Sequence, residues 1–197
     1  MRQPLTREAI SKAARDILVA EGLHAVSLRR VASSLGVTAP ALYAHVVDKR
    51  DLLQGIAEQE IDGLLEQFRS IDESDPVDRM RRMCHVYVDY GVRNPDLFRA
   101  MFLFRPELTS EGRGERTALT AAIHDAFMQV ARKAVDNEGL DQANAELAAL
   151  TAWTAAHGVV TVLLSGPPLN IEVQNRLADA TINAALTGMR HGALAAA

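Results

Sequence analysis

Tyr43, His45 and Lys49 place a phenol, an imidazole and an ammonium group close together in the chain. On one edge of a short helix, all three could hydrogen-bond anionic oxygens such as those of a phosphate backbone. Arg29 adds a guanidinium, which can read guanine through two hydrogen bonds. Other chemistries find little support. The six histidines are His24, His45, His85, His124, His157 and His191. No two have the i, i+4 spacing of a helical metal motif, and HExxH does not occur. Cys84 and His85 are adjacent, so they leave a helix on different sides and poorly share a metal. There is no GxSxG, P-loop or GxGxxG. Each histidine reads as satisfied or solvent-facing, and Cys84 as a small buried apolar residue. No catalytic residue, metal or cofactor is expected.

The elements that must position the phenol, imidazole and cations lie between Ser27 and Leu53. Leu28, Val31, Ala32 and Leu35 share one helical face. Ser27 stands where a hydroxyl caps a first turn, and Gly36 is a helix stop. A second helix starts at once, roughly Ala39 to Val46. Thr38 is its expected cap, and Pro40 sits in the first turn, where a missing donor costs little. Two short helices joined by a glycine-containing turn make a helix-turn-helix. The second is short enough to lie in a DNA major groove.

The run GVTAPALYAHVVDKRDLL, with Gly36, Val37, Thr38, Pro40, Leu42, Tyr43, His45, Lys49 and Leu52 at the matching positions, resembles the recognition signature of the TetR family of transcriptional repressors. AARDILVAEGLHAVSLRRVASSLGV extends the match toward the N-terminus. The resemblance implies that Tyr43, His45 and Lys49 touch phosphates. It places Arg29 where the family can carry a base-contacting side chain. Thr38, Ala39, Pro40, Ala41 and Ala44 fall at the family's base-facing positions, and Ser27 completes the DNA-facing set. This face is unusually apolar. It could touch thymine methyl groups but offers few side-chain hydrogen bonds. Arg30 could simply pair with an acid.

The charge distribution fits. Residues 1–50 hold eight Lys or Arg against four Asp or Glu, a net +4 within a chain of −4. The remaining thirteen basic and twenty-one acidic residues make the body −8. A basic head on an acidic body suits a DNA-binding module joined to a domain with other work. We read 1–52 as the helix-turn-helix DNA-binding domain and 53–197 as a regulatory and dimerisation domain. A single cysteine allows no internal disulfide and suits a reducing cytoplasm. The N-terminus has no apolar core of signal-peptide length, and the most apolar run, Val159 to Leu164, is far shorter than the ~20 residues of a membrane helix. The chain is therefore expected to be cytoplasmic, with no membrane partner.

Scarce aromatics, abundant alanine and no hairpin alternation predict an all-α fold of about nine helices. A first helix runs from a Thr6 cap to Gly22. A connecting helix, capped by Asp48, reaches about Arg69. Further helices are expected from Pro76 to Arg93, Asp96 to Phe104, Thr117 to Asn137, Asp141 to Leu164, and Asn170 to Met189, with a loop over 107–115. The alanine-rich faces of the last two predict a homodimer, and a two-fold dimer calls for a near-palindromic double-stranded operator.

Met83, Tyr87, Tyr90, Met101, Phe102, Phe104, Phe127 and Trp153 are candidates to line a cavity for a largely apolar small-molecule effector. His124 or His157 could orient its polar end. Much of this set must also be ordinary core. Trp153, His157 and Gly158, in AWTAAHG, resemble the Trp-x3-His-Gly signature of one group of TetR C-terminal domains. Three functions stay open: an effector-responsive regulator of the repressor type; a protein of the same fold controlled by a protein partner; and a helical enzyme or carrier.

Overall fold

The computed structural model describes residues 4–103 and 118–190. The expected contributions of Phe104, the 107–115 loop and the C-terminal tail lie outside the described residues. All regular structure within them is helical. The chain divides into two compact units. One comprises the described residues of Met1–Asp62 and Asn94–Glu115, the other those of Gly63–Arg93 and Arg116–Ala197.

The first unit begins with α1 (Arg7–Glu21). Thr6 caps it, its hydroxyl accepting from the Ala9 N–H at 3.1 Å. Gly22 ends it at φ 83°, a conformation that costs a glycine little. Helix α2 (Leu28–Ser34) is capped by Ser27, which accepts from the Arg30 N–H. Gly36, at φ 64°, turns the chain into α3 (Ala39–Leu42). This helix is shorter than its sequence suggests. After Leu42 the backbone tightens, with both the His45 and Val46 N–H groups donating to the Leu42 carbonyl. Thr38 stands at the N-cap position but makes no side-chain cap bond. Asp48 caps α4 (Lys49–Arg69) by accepting from the Asp51 N–H at 2.8 Å.

One apolar core holds these helices together. Ile10, Ala14 and Leu18 of α1, Val31 of α2, Leu42 of α3 and Leu52 of α4 lie in it, fully or nearly fully buried. Helix α6 (Pro95–Phe98) belongs to the same unit and adds Leu97 to that core. It passes into a π-helical turn, Arg99–Leu103, so the single short helix expected from Asp96 onward is two pieces.

The second unit is a helical bundle around α8 (Ala145–Ser165). The remaining end of α4, α5 (Pro76–Arg93), α7 (Ala118–Asn137) and α9 (Ile171–Arg190) complete it. Helix α8 packs on α5, α7 and α9. Its inner positions are Ala145, Ala148, Ala149, Ala152 and Ala156, small enough to let three neighbours approach closely. Asp141 caps a short 3-10 turn before α8 rather than α8 itself. Asn170 caps α9, accepting from the Val173 N–H at 2.9 Å. With that turn, Gln142–Ser165 is long and apolar enough to cross a membrane, with a mean hydropathy of 1.7, a length the run Val159 to Leu164 does not reveal. Here it is the central helix of a bundle, with Leu147, Leu150 and Val162 left exposed.

Two glycines of α4 give opposite expectations. A Cβ at Gly55 would lie 2.4 Å from the Ser11 hydroxyl of α1, so the two helices meet there closely. Around Gly63 no described atom beyond its chain neighbours and the backbone of its own helix lies within 4 Å of such a Cβ. Gly55→Ala should therefore destabilise the protein by about 1–3 kcal/mol through overpacking. Gly63→Ala should stabilise it by up to ~1 kcal/mol through helix propensity. Thermal unfolding of the two variants checks both signs.

Candidate nucleic-acid interface

Helix α3 and the turn after it have two faces. Leu42 and Val46 are 0% and 2% exposed and fasten the element to the core. Thr38, Pro40, Tyr43, Ala44 and His45 face outward. Tyr43 is 60% exposed, which is high for an aromatic ring and leaves its hydroxyl free to meet a large partner. Ala39 and Ala41 are half-buried, and Ala39 packs against the core. The outward surface is thus narrower than the five base-facing candidates. It consists mainly of Thr38, Pro40 and Ala44.

The cations sort themselves by partner. Arg30 forks onto the Glu21 carboxylate, with its Nη2 at 2.5 Å, which holds the guanidinium charged above its ordinary range. Arg29, its neighbour, points to solvent. Lys49, also exposed, donates to the Leu23 carbonyl at 3.3 Å, which leaves further ammonium hydrogens for another acceptor. Ser27 is half-buried and its oxygen is engaged as the α2 cap. The structure therefore brings Tyr43, His45 and Lys49 onto one exposed stretch, while the Ser27 hydroxyl is engaged in capping α2.

Two residues beside this surface were not among the site candidates. Arg7 of α1 donates to the His45 carbonyl and to both oxygens of Asp51, and Asp51 accepts from the Val47 N–H. The guanidinium and the backbone N–H hold the Asp51 carboxyl below its usual range. The only sequence signal was charge of opposite sign, placed too far apart along the chain to suggest a pair.

The candidate effector residues separate. Met101 and Phe102 belong to the first unit, while Met83, Tyr87, Tyr90, His124, Phe127, Trp153 and His157 belong to the second. Within the second unit, Tyr87 and Phe127 are wholly buried and Tyr90 is nearly so. His124 is buried beside Asp125. Tyr87, Trp153 and His157 form one cluster. The Tyr87 hydroxyl and His157 Nδ1 are 2.9 Å apart, and the Trp153 ring meets the imidazole edge-on at 6.1 Å. Burial pushes the Tyr87 phenol up and the His157 imidazole down, so both are held neutral. Trp153 Nε1 is buried and approaches the Tyr87 oxygen, which it polarises without completing a hydrogen bond of good geometry. Burial likewise pushes the Cys84 thiol up to about 12, which keeps it unreactive.

A groove of about 640 Å³ opens elsewhere on the same unit, between the end of α4, α5 and α7. Phe68, Met83 and Val130 are among its apolar lining and Arg69, Glu73 and Lys133 among its charged lining, and more of its surface is polar than apolar. Among the described residues, Met83 is the one effector candidate that lines it. No group of three or more His, Cys, Asp or Glu side chains suited to a metal occurs among the described residues.

Comparison with known proteins matches both units. Residues 10–56 match the family of bacterial regulatory proteins of the tetR type. Residues 80–187 match the tetracyclin repressor-like C-terminal domain. An uncharacterized HTH-type transcriptional regulator of Mycobacterium tuberculosis is 26% identical over 187 residues, 92% of this chain and 80% of that protein. The class C tetracycline repressor protein of Escherichia coli is 44% identical over 54 residues, 27% of this chain and 25% of its own length. BioQ, solved with its double-stranded DNA operator, has the same fold, with a TM-score of 0.61 at 20% identity over 91% of this chain and 99% of that one. The chain belongs to the TetR family and is a DNA-binding transcriptional regulator, not an enzyme.

Proposed function

We propose that the protein is an effector-responsive repressor that binds a near-palindromic operator as a homodimer. In this reading residues 1–52 bind DNA and 53–197 carry regulation and dimerisation. Tyr43, His45 and Lys49 hold phosphates, Arg29 reads a base, and Thr38, Pro40 and Ala44 form a small surface against the groove floor. Their common exposure beside a buried Leu42 supports the assignment.

The observation that carries effector control is the groove against Phe68, Met83 and Val130. Its volume falls within the ~300–1,000 Å³ of small-molecule sites. Leu65, Phe68 and Arg69 of α4 form part of its wall. The same helix begins at Lys49, beside the DNA-facing turn. An effector favouring one arrangement of α4 must alter DNA affinity by the same factor that DNA alters its own.

Dimerisation is supported by what α8 and α9 leave uncovered. Leu147, Leu150 and Val162 of α8 and Ile171 and Val173 of α9 are exposed. Ala180 and Ala184 extend the α9 surface with side chains small enough for close helix approach. A four-helix contact between two copies would cover these groups.

Three outcomes test this reading. Lys49→Ala should weaken binding to all duplexes and lower the salt slope of log K by about one, whereas Arg29→Ala should cost about 1–3 kcal/mol chiefly at one base pair. A changed preferred sequence in Lys49→Ala, at unchanged affinity and slope, would reverse these roles. Ala184→Arg should shift the protein toward monomer in sedimentation at micromolar concentration; an unaltered dimer would remove this residue from the interface. Titration of small apolar metabolites, followed by Trp153 fluorescence, should find one that lowers operator affinity roughly 5–150-fold. A metabolite bound tightly without loss of operator affinity would break the coupling and leave control to a protein partner.

A further inference from the structure

We infer that Arg7 and Asp51 are positioning residues for DNA binding, which pin the turn from Tyr43 to Lys49 without touching DNA themselves. The inference rests on reading Tyr43, His45 and Lys49 as phosphate contacts. The Arg7 guanidinium reaches from α1 to two places at once. Nη1 donates to the His45 carbonyl at 3.2 Å. Nη1 and Nη2 donate to the two Asp51 oxygens at 3.2 and 2.5 Å. Asp51 in turn accepts from the Val47 N–H at 2.8 Å, while its own N–H donates to Asp48. One fork thereby joins α1, the turn after α3 and the first turn of α4.

The turn needs such a hold. Its side chains at Tyr43, Ala44, His45 and Val47 all face solvent, and Val47 is 76% exposed. Val46 anchors it to the core and the His45 and Val46 N–H groups return to the Leu42 carbonyl, but the His45 carbonyl and the Val47 N–H are met by side chains alone. The bonds from Arg7 to the His45 carbonyl and from Val47 to Asp51 fix the planes on either side of Val46. The Tyr43 ring and the Lys49 stem leave the backbone on either side of those planes, so their reach depends on them.

Two features separate this role from general stabilisation. The pair is partly solvated, with side-chain exposures of 43% for Arg7 and 23% for Asp51. Ion pairs so exposed contribute little to folding. Moreover, the pair's remaining bonds end on the backbone of the one segment that carries the contacts. Arginine suits the task because its planar fork serves two acceptors in a fixed geometry, which lysine cannot do.

The test uses the full chain with two duplexes, one enriched by selection for binding and one of random sequence. Affinity is measured against salt for Asp51→Asn, Arg7→Gln, Arg7→Lys and the Arg7→Gln, Asp51→Asn double variant, with the thermal midpoint alongside. Asp51→Asn and Arg7→Gln should each weaken binding to both duplexes about tenfold, the equivalent of one well-placed hydrogen bond lost. The salt slope should stay unchanged, the midpoint should barely move, and the double variant should be no weaker than either single one. Arg7→Lys should fall between Arg7→Gln and the unaltered chain. A slope lower by one in Arg7→Gln would make Arg7 a phosphate contact and overturn the inference. So would unchanged affinity, or a loss fully explained by unfolding of the variants; should Arg7→Gln or Asp51→Asn fail to fold, Arg7→Lys at undiminished affinity would do the same. If Lys49→Ala left slope and affinity intact, the phosphate reading would fail by itself, whichever way Arg7 and Asp51 behave.

Discussion

A helix of four residues cannot stand alone in water. Nucleating one turn fixes several dihedrals for a single hydrogen bond, and α3 has almost no length over which to recover that cost. It exists because Leu42 and Val46 are driven into the core of the head and because Gly36 lets α2 end abruptly before it. Everything offered to DNA follows from this. The inward positions are spent on anchoring, so few outward ones remain. Those that face outward on α3 and the turn after it include Thr38, Pro40 and Ala44, which can supply shape and apolar contact but little hydrogen bonding. Orientation then falls to the polar groups at the edges.

The packing of α1 along α4 supplies the frame. Within the head the two helices run in the same direction, and their contacts recur at about one helical turn. Arg7 meets Asp51, Ser11 meets Gly55, and Arg15 pairs with Glu60. The glycine allows the approach, and the ion pairs on either side set the register. Exposed pairs are worth about 0–1 kcal/mol each, while burying a single leucine or isoleucine contributes ~1.5–3 kcal/mol. Ile10, Leu18 and Ile56 therefore hold the helices together, and the charged pairs choose how they align.

Much of this was legible in the sequence, because helix ends are written locally. Thr6, Ser27 and Asn170 cap where their types and positions suggest, and Gly22, Gly36 and Gly139 all adopt positive φ at helix stops. The family signature was legible for the same reason, since it is short and contiguous. What stayed hidden depends on distant partners. The end of α3 at Leu42 is decided by tertiary anchoring rather than by propensity, as Tyr43 to Val46 carry no helix breaker. The Arg7 and Asp51 pair spans forty-four residues of chain. Apolar periodicity shows that Met101 and Tyr87 are both interior, but not that they belong to different compact units. The groove was invisible for a related reason: its walls are charged residues that resemble an ordinary solvated surface.

The central claim is that this short, anchored element reads DNA sequence from a two-fold dimer. Selection of bound duplexes from a random pool by the full chain, at a salt concentration that suppresses non-specific binding, tests it most directly. The account predicts enrichment of two inverted half-sites, with their centres about one helical turn of DNA apart or a multiple of it. Recovery of a pool no different from the input, or of a single half-site with no symmetric partner, would contradict it.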